Sequence, residues 1–155
     1  MQLNRIDEII VFSPLDDENL RDIAYAIVSD ASERALREKD IKLSASESLI
    51  DAILYDGTRN AAEFGARPMR RAGQRLFEDA VSDAIVRGFL VEGDSATVDM
   101  GLSESASGMP TVAIMREKDG ALLVVDVDDG SGGIGMAASS RAMPRDELQR
   151  QPDML

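Results

Sequence analysis

Gly65-Ala66-Arg67-Pro68-Met69-Arg70-Arg71 concentrates positive charge at a helix start in a chain that is otherwise acidic. Pro68 suits a first helical position, because the N–H it lacks would find no partner there. Gly65 and Ala66 leave room for another group to come close to the backbone. Arg67 then stands beside free backbone N–H groups and the positive end of a helix dipole, an arrangement that favours a bound anion, phosphate above all. The same residues admit a plainer reading, in which Arg70, Arg71 and Arg75 form a solvated helix face paired with Glu78 and Asp79.

Several elements must hold that helix start in place. Ile9-Ile10-Val11-Phe12 reads as a short buried strand or extended lead-in, stopped by Ser13-Pro14. A helix follows, with Asp16 as N-cap and Leu15 and Leu20 placed as a hydrophobic staple. Leu20, Ile23, Ala24, Ile27, Val28, Ala31 and Ala35 recur at helical spacing through about residue 38. Ile41-Lys42-Leu43 is a brief strand candidate. Ser44 with Glu47 makes a capping box ahead of a second helix carrying Leu49, Ile50, Ile53 and Leu54, and Gly57 is placed to stop it.

A loop from Thr58 to Gly65 leads to a third helix, Pro68 to about Arg87, with Met69, Ala72, Leu76, Ala80, Val81, Ala84 and Ile85 as its buried stripe. Gly73 inside that helix costs roughly 1 kcal/mol against alanine, which points to another element packed close there. Gly88 ends the helix and Gly93-Asp94 forms a turn. Ala96 to Met100 alternates as a strand, and Thr111–Met115 with Leu122–Val127 form a hairpin around Lys118-Asp119-Gly120. From Asp128 onward no apolar period is sustained, so residues 128–155 read as a flexible tail. Its run Gly130-Ser131-Gly132-Gly133-Ile134-Gly135 lacks the lysine and the strand–turn–helix setting of a phosphate loop.

The chain has 155 residues, with 17 basic and 29 acidic residues and a net charge of −12, which disfavours general nucleic-acid binding. Cysteine and histidine are absent, removing disulfides, thiolate chemistry and the commonest general base and metal ligand. No metal site is expected. No apolar run approaches the ~20 residues of a membrane span, and Met1-Gln2-Leu3-Asn4-Arg5 lacks the apolar core of a secretory signal. The expectation is a soluble intracellular protein with no nucleic-acid or membrane partner. Its compartment is open, and the resemblance that the motifs below carry implies the cytoplasm or an organelle, either plastid stroma or mitochondrial matrix.

Leu3-Asn4-Arg5-Ile6-Asp7-Glu8-Ile9-Ile10-Val11-Phe12 and Phe64-Gly65-Ala66-Arg67-Pro68-Met69-Arg70-Arg71-Ala72 carry a family resemblance. With Pro14-Leu15 and the helix between them, they resemble the C-terminal small domain of Clp-type AAA+ unfoldases, the ClpB/ClpC group. The resemblance covers roughly residues 3 to 100. Phe64 stands where a tyrosine is common, Gly73 where a larger apolar residue is usual, and the chain after Met100 is less typical. The implied fold is α+β, a three-helix AAA+ small lid domain with a sheet of about three strands. The implied organisation is an arginine-finger motif and lead-in at 1–15, the small domain at 16–127 and the tail at 128–155.

The resemblance also implies roles. Arg5 matches the arginine finger that reaches a neighbouring subunit's ATP site, and Arg67 the sensor-2 arginine that reaches the γ-phosphate in its own subunit. Ile23 resembles the apolar lid residue near adenine, with Ala66 lining the same site. Guanidinium groups suit both arginine roles, since they donate in a planar fork to the charge that develops in phosphoryl transfer. The implied cofactor is ATP or ADP, with Mg2+ in the complete enzyme. The implied partners are an AAA+ large domain and neighbouring Clp ATPase subunits of a hexamer; coupling to a protease chamber is left open. No Gly-x-x-x-x-Gly-Lys-Ser/Thr loop and no acidic strand end for magnesium occurs in these residues, so the chain alone is expected not to hydrolyse ATP. It is then a domain fragment or a truncated relative. An alternative is a stand-alone, non-catalytic module that binds full-length Clp ATPase subunits.

Overall fold

Helix α1 (Asp17–Lys39) begins where its sequence says it should: the Asp16 carboxylate accepts the Asn19 backbone N–H at 2.8 Å. The computed structural model describes residues 16–59, 67–101 and 110–127. The expected strand at Ile9–Phe12, the staple residue Leu15, and the tail from Asp128 lie outside these residues. Leu20, Ala24, Val28 and Ala31 form the buried stripe of α1, with Ile23 and Ile27 half-buried beside it. Arg37 and Lys39 in the last turn complement the negative end of the helix dipole.

Strand β1 (Lys42–Ala45) leads directly into α2 (Glu47–Thr58). The cap of α2 is Ser46, whose Oγ accepts the Leu49 N–H at 3.2 Å, and not the expected Ser44. Ser44 is still inside the strand, where its hydroxyl meets that of Thr97 at 3.0 Å. The expected stop at Gly57 is also corrected. The helix continues through Thr58, and Gly57 is buried within it. A Cβ at Gly57 would lie 2.8 Å from the Met69 Cα, so this glycine is present for close helix approach.

The third helical rod comprises α3 (Arg67–Gly73), a π-helical turn (Gln74–Glu78) and α4 (Asp79–Val86). Met69, Ala72, Leu76, Ala80, Val81 and Ala84 are buried as the apolar spacing predicts, and Phe77 in the π-helical turn joins them. Gly73 seats the side chain of Ile27: an added Cβ would lie 2.5 Å from its Cγ2. Gly88, at φ +69°, closes the rod, and the Phe89 N–H returns to the Ala84 carbonyl at 2.9 Å.

The sheet has four strands where about three were expected, in the order β1-β2-β3-β4, with β2 (Ser95–Met100), β3 (Thr111–Arg116) and β4 (Leu122–Asp126). β1 and β2 run parallel, joined through the helices, and the remaining pairs are antiparallel. Alternate residues Ala96, Val98, Val112, Ile114, Leu123 and Val125 are buried in the common core with the helical stripes. The α+β class and the three-helix arrangement are thus as expected.

Gly57→Ala tests the helix approach. Alanine favours a helix interior by roughly 1 kcal/mol over glycine, but overpacking against backbone costs about 1–3 kcal/mol. The Met69 Cα cannot rotate away as a side-chain tip could. A lowered thermal midpoint is expected, and an unchanged or raised one would show that α2 and α3 are further apart.

The β3–β4 turn is held by charge. Arg116 donates from Nε to Asp119 Oδ1 at 3.0 Å and from its terminal nitrogen to Oδ2 at 2.6 Å, a two-point pair, and stacks over Phe89 at 4.8 Å. The Arg116 hydrogen bonds, aided by the Ala121 N–H, bring the Asp119 carboxyl down from 3.8 to about 2. A carboxylate held low in the folded state contributes stability above its ordinary range and loses it as pH falls. The midpoint difference between wild type and Asp119→Asn should therefore be full near pH 6 and vanish between about pH 4 and pH 2. A difference that persists unchanged to pH 2 would rule out the pair as its source.

Candidate functional site

Arg67 opens α3 with an exposed side chain, while Met69, two residues on, is fully buried and anchors the turn. Pro68 lies in the first helical turn, where a missing N–H leaves no ladder bond unmade. Arg70 and Arg71 are exposed beside Arg67. Among the described residues, none of these three arginines takes part in an ion pair, whereas Arg21, Arg34, Arg75, Arg87 and Arg116 all do. In a chain of net charge −12, three guanidinium groups within two turns are a local reversal of sign. Such a cluster raises the local concentration of anions, and one guanidinium at the helix start can hold phosphate oxygens in its planar fork.

The plainer reading of the arginine face is corrected in its pairing. Arg75 binds Asp56 on α2, and Glu78 accepts from Arg34 on α1 at 3.4 Å. Neither pair lies along the third rod; both tie it to its neighbours. Burial and the adjacent Glu78 charge push the Asp79 carboxyl upward.

Of the other expected site residues, Arg5 and Ala66 lie outside the described residues. Ile23 is half-buried and packs on the core. It stands one turn before Ile27, whose side chain fills the space over Gly73, so α1 and the helix begun by Arg67 are in direct contact. The fold therefore joins the elements that bear Ile23 and Arg67.

Two polar clusters were not anticipated. On the outer surface of α1 and α2, Arg21 donates to Glu47 at 3.1 Å and to Asp51 at 2.9 Å, and the Tyr25 hydroxyl donates to Glu47 at 2.7 Å. The Tyr25 hydroxyl is the main influence holding the Glu47 carboxyl low; burial opposes it, and Arg21 assists. The available signal was spacing: Arg21 with Tyr25 and Glu47 with Asp51 are each four residues apart, on one helix face. In the second cluster, Asp99 on β2 accepts from the hydroxyls of Ser46 and Ser48 and from the Met100 N–H. Burial pushes this carboxyl up, but the two hydroxyls and the N–H outweigh it and leave it below the ordinary value. Asp99 thereby pins the start of α2 to the sheet.

ATP can be tested against these residues. Arg67, exposed and without an ion pair among the described residues, fits a phosphate group.

Comparison with known proteins agrees with this architecture. The sequence pattern of the family described as the C-terminal, D2-small domain of ClpB protein matches residues 15–98. The chain is 38% identical over 98 residues to an ATP-dependent Clp protease ATP-binding subunit ClpA homolog of Cyanidium caldarium, covering 63% of this chain and 11% of that protein. It is 40% identical over 98 residues to the chloroplastic chaperone protein ClpC1 of Oryza sativa subsp. japonica, covering 63% and 10%. With the chaperone protein ClpB of Oceanobacillus iheyensis it shares 42% identity over 86 residues, covering 56% and 10%. The chain thus spans about a tenth of the length of these curated relatives. A capped α1, a β1–α2 unit, the arginine-bearing third rod and the first four residues of β2 fall inside the matched span, and the chain belongs to the ClpB-type C-terminal D2-small domain family of Clp ATPases.

Proposed function

We propose that this chain acts as the lid and oligomerisation domain of an ATP-dependent Clp chaperone or Clp protease ATPase subunit, with Arg67 as the sensor-2 arginine that faces bound nucleotide. The observation that carries this reading is Arg67 at the start of α3, exposed and without an ion pair among the described residues, flanked by Arg70 and Arg71 in an acidic chain. Arg67 would hold phosphate oxygens of ATP or ADP through its planar fork, and Ala66 and Ile23 would line the base side. Arg5 would serve the neighbouring subunit's site as arginine finger. The working division is a lead-in at 1–15, the lid at 16–127 and a tail at 128–155.

On this reading the partners are an AAA+ large domain and adjacent Clp ATPase subunits, and the hydrolytic machinery with its Mg2+ is completed by the large domain. Bound nucleotide would supply the transferring phosphoryl group; this chain's part is to orient it and balance its charge. The test is direct. The purified chain alone should not turn over ATP, and should restore hydrolysis when combined with a Clp-type large domain that lacks its own small domain. Turnover by the chain alone near ~1 s⁻¹, an ordinary low enzyme rate, would overturn the division of labour. So would a complemented large domain that stays inactive.

A further inference from the structure

The last turn of α2 meets the third rod at two adjacent residues. Gly57 lies against Met69, two residues after Arg67, with the Met69 backbone 2.8 Å from where a Cβ would stand. Asp56 accepts from Arg75, eight residues after Arg67, in a pair whose side chains are only 24% and 31% exposed. The two contacts are six residues apart along the rod, roughly 9 Å at the helical rise. One contact would leave the rod free to pivot; two set both its tilt and its axial position against α2. The Arg67 side chain has no partner of its own among the described residues, so its position follows from the placement of the helix that bears it.

Arg75 carries a further mark. Its Nε is buried and finds no hydrogen-bond acceptor among the described residues, so a single carboxylate orients the guanidinium. It also sits in the π-helical turn, a departure from α geometry that recurs at functional sites. We propose that Asp56 and Arg75 are positioning residues, which with the Gly57–Met69 contact hold the start of α3 so that Arg67 faces phosphate. This inference rests on the reading of Arg67 given above.

The proposal makes a prediction of opposite sign to simple electrostatics. Removing the negative charge of Asp56 near a cationic cluster should strengthen anion binding if charge alone matters. If Asp56 positions the helix, its loss should weaken binding. The experiment titrates ATP, without magnesium and into the tens of millimolar, against the isotopically labelled full chain, following amide shifts from Arg67 to Arg71 by NMR. A misplaced binding group can cost up to about 100-fold, and Asp56→Asn should raise the apparent Kd about tenfold. The charge swap Asp56→Arg with Arg75→Asp should recover most of the loss. Asp94→Asn, which breaks the pair of Asp94 with Lys118 at 2.6 Å in the turn before β2, is the stability control and should leave the ATP response as in wild type.

If Asp56→Asn does not fold, Asp56→Glu keeps the charge but displaces the carboxylate, and should weaken binding without unfolding. Binding by Asp56→Asn equal to or tighter than wild type overturns the positioning role, as does an equal loss in Asp94→Asn. Arg67→Ala separates the two ideas. If it leaves the wild-type ATP response intact, or if the wild-type chain gives no response, the Arg67 reading fails and the clamp with it. If Arg67→Ala abolishes the response while Asp56→Asn does not weaken it, the clamp alone fails.

Discussion

Arg67→Ala should slow ATP hydrolysis about 100- to 1,000-fold in a hexamer completed by an AAA+ large domain, the range for deleting one preorganised charge-stabilising donor. The melting midpoint of the isolated chain should move by no more than a few degrees. Arg67 is exposed and engages no ion pair among the described residues, and surface changes of that kind alter stability by about ±0.5 kcal/mol. Arg71→Ala is the internal control, since that side chain is exposed on the same helix and is given no phosphate-facing role. It should leave both measurements nearly unchanged. Unfolding of the chain by Arg67→Ala would make the arginine structural. Normal hydrolysis without Arg67 would remove the sensor assignment.

The helices were legible where one short segment carries its own signal. Asp16 three residues before Asn19 is a local cap, and the stripe from Leu20 to Ala31 is a local period. Gly73 was legible for a subtler reason: a residue unfavourable to helices implied a neighbour, and Ile27 is that neighbour. What failed depends on contacts distant in sequence. Whether Ser44 or Ser46 caps α2 is decided by where β1 stops pairing with β2, and Ala45 still pairs with Val98. Gly57 near a helix end has the composition of a stop, yet its role is set by Met69 twelve residues later. Arg75 finds its partner nineteen residues upstream, beyond the reach of any helical-spacing rule.

The candidate site was legible in one part. The charge reversal at Arg67, Arg70 and Arg71 is written in residue types alone, and the fold leaves those side chains exposed and unpaired among the described residues. The device that holds them, Asp56 and Gly57 against the third rod, is tertiary. It had no periodicity to announce it.

Phe77→Ala should give the largest stability loss of the substitutions considered, about 3–5 kcal/mol for a buried aromatic cut to alanine. Phe77 is 1% exposed and is the bulkiest of the fully buried side chains among the described residues. It escaped the buried stripe drawn from sequence because that stripe advanced by threes and fours from Leu76 to Ala80, leaving the next residue outside. The structure buries both Leu76 and Phe77 in the π-helical turn, where the wider backbone presents two consecutive apolar side chains to the core. Each kcal/mol shifts the midpoint of a domain of this size by roughly 4–8 °C, so a drop of well over 10 °C is expected. Phe77→Leu, which keeps most of the apolar volume, should lose much less. Equal melting of Phe77→Ala and wild type would mean that the turn does not bury this ring. The two effects argued here should also separate cleanly: Phe77→Ala lowers stability from a residue that touches no phosphate, and Arg67→Ala lowers activity from one that supports no core. A variant of either kind that moved both measurements together would show that the helix start and its buried midsection are one unit.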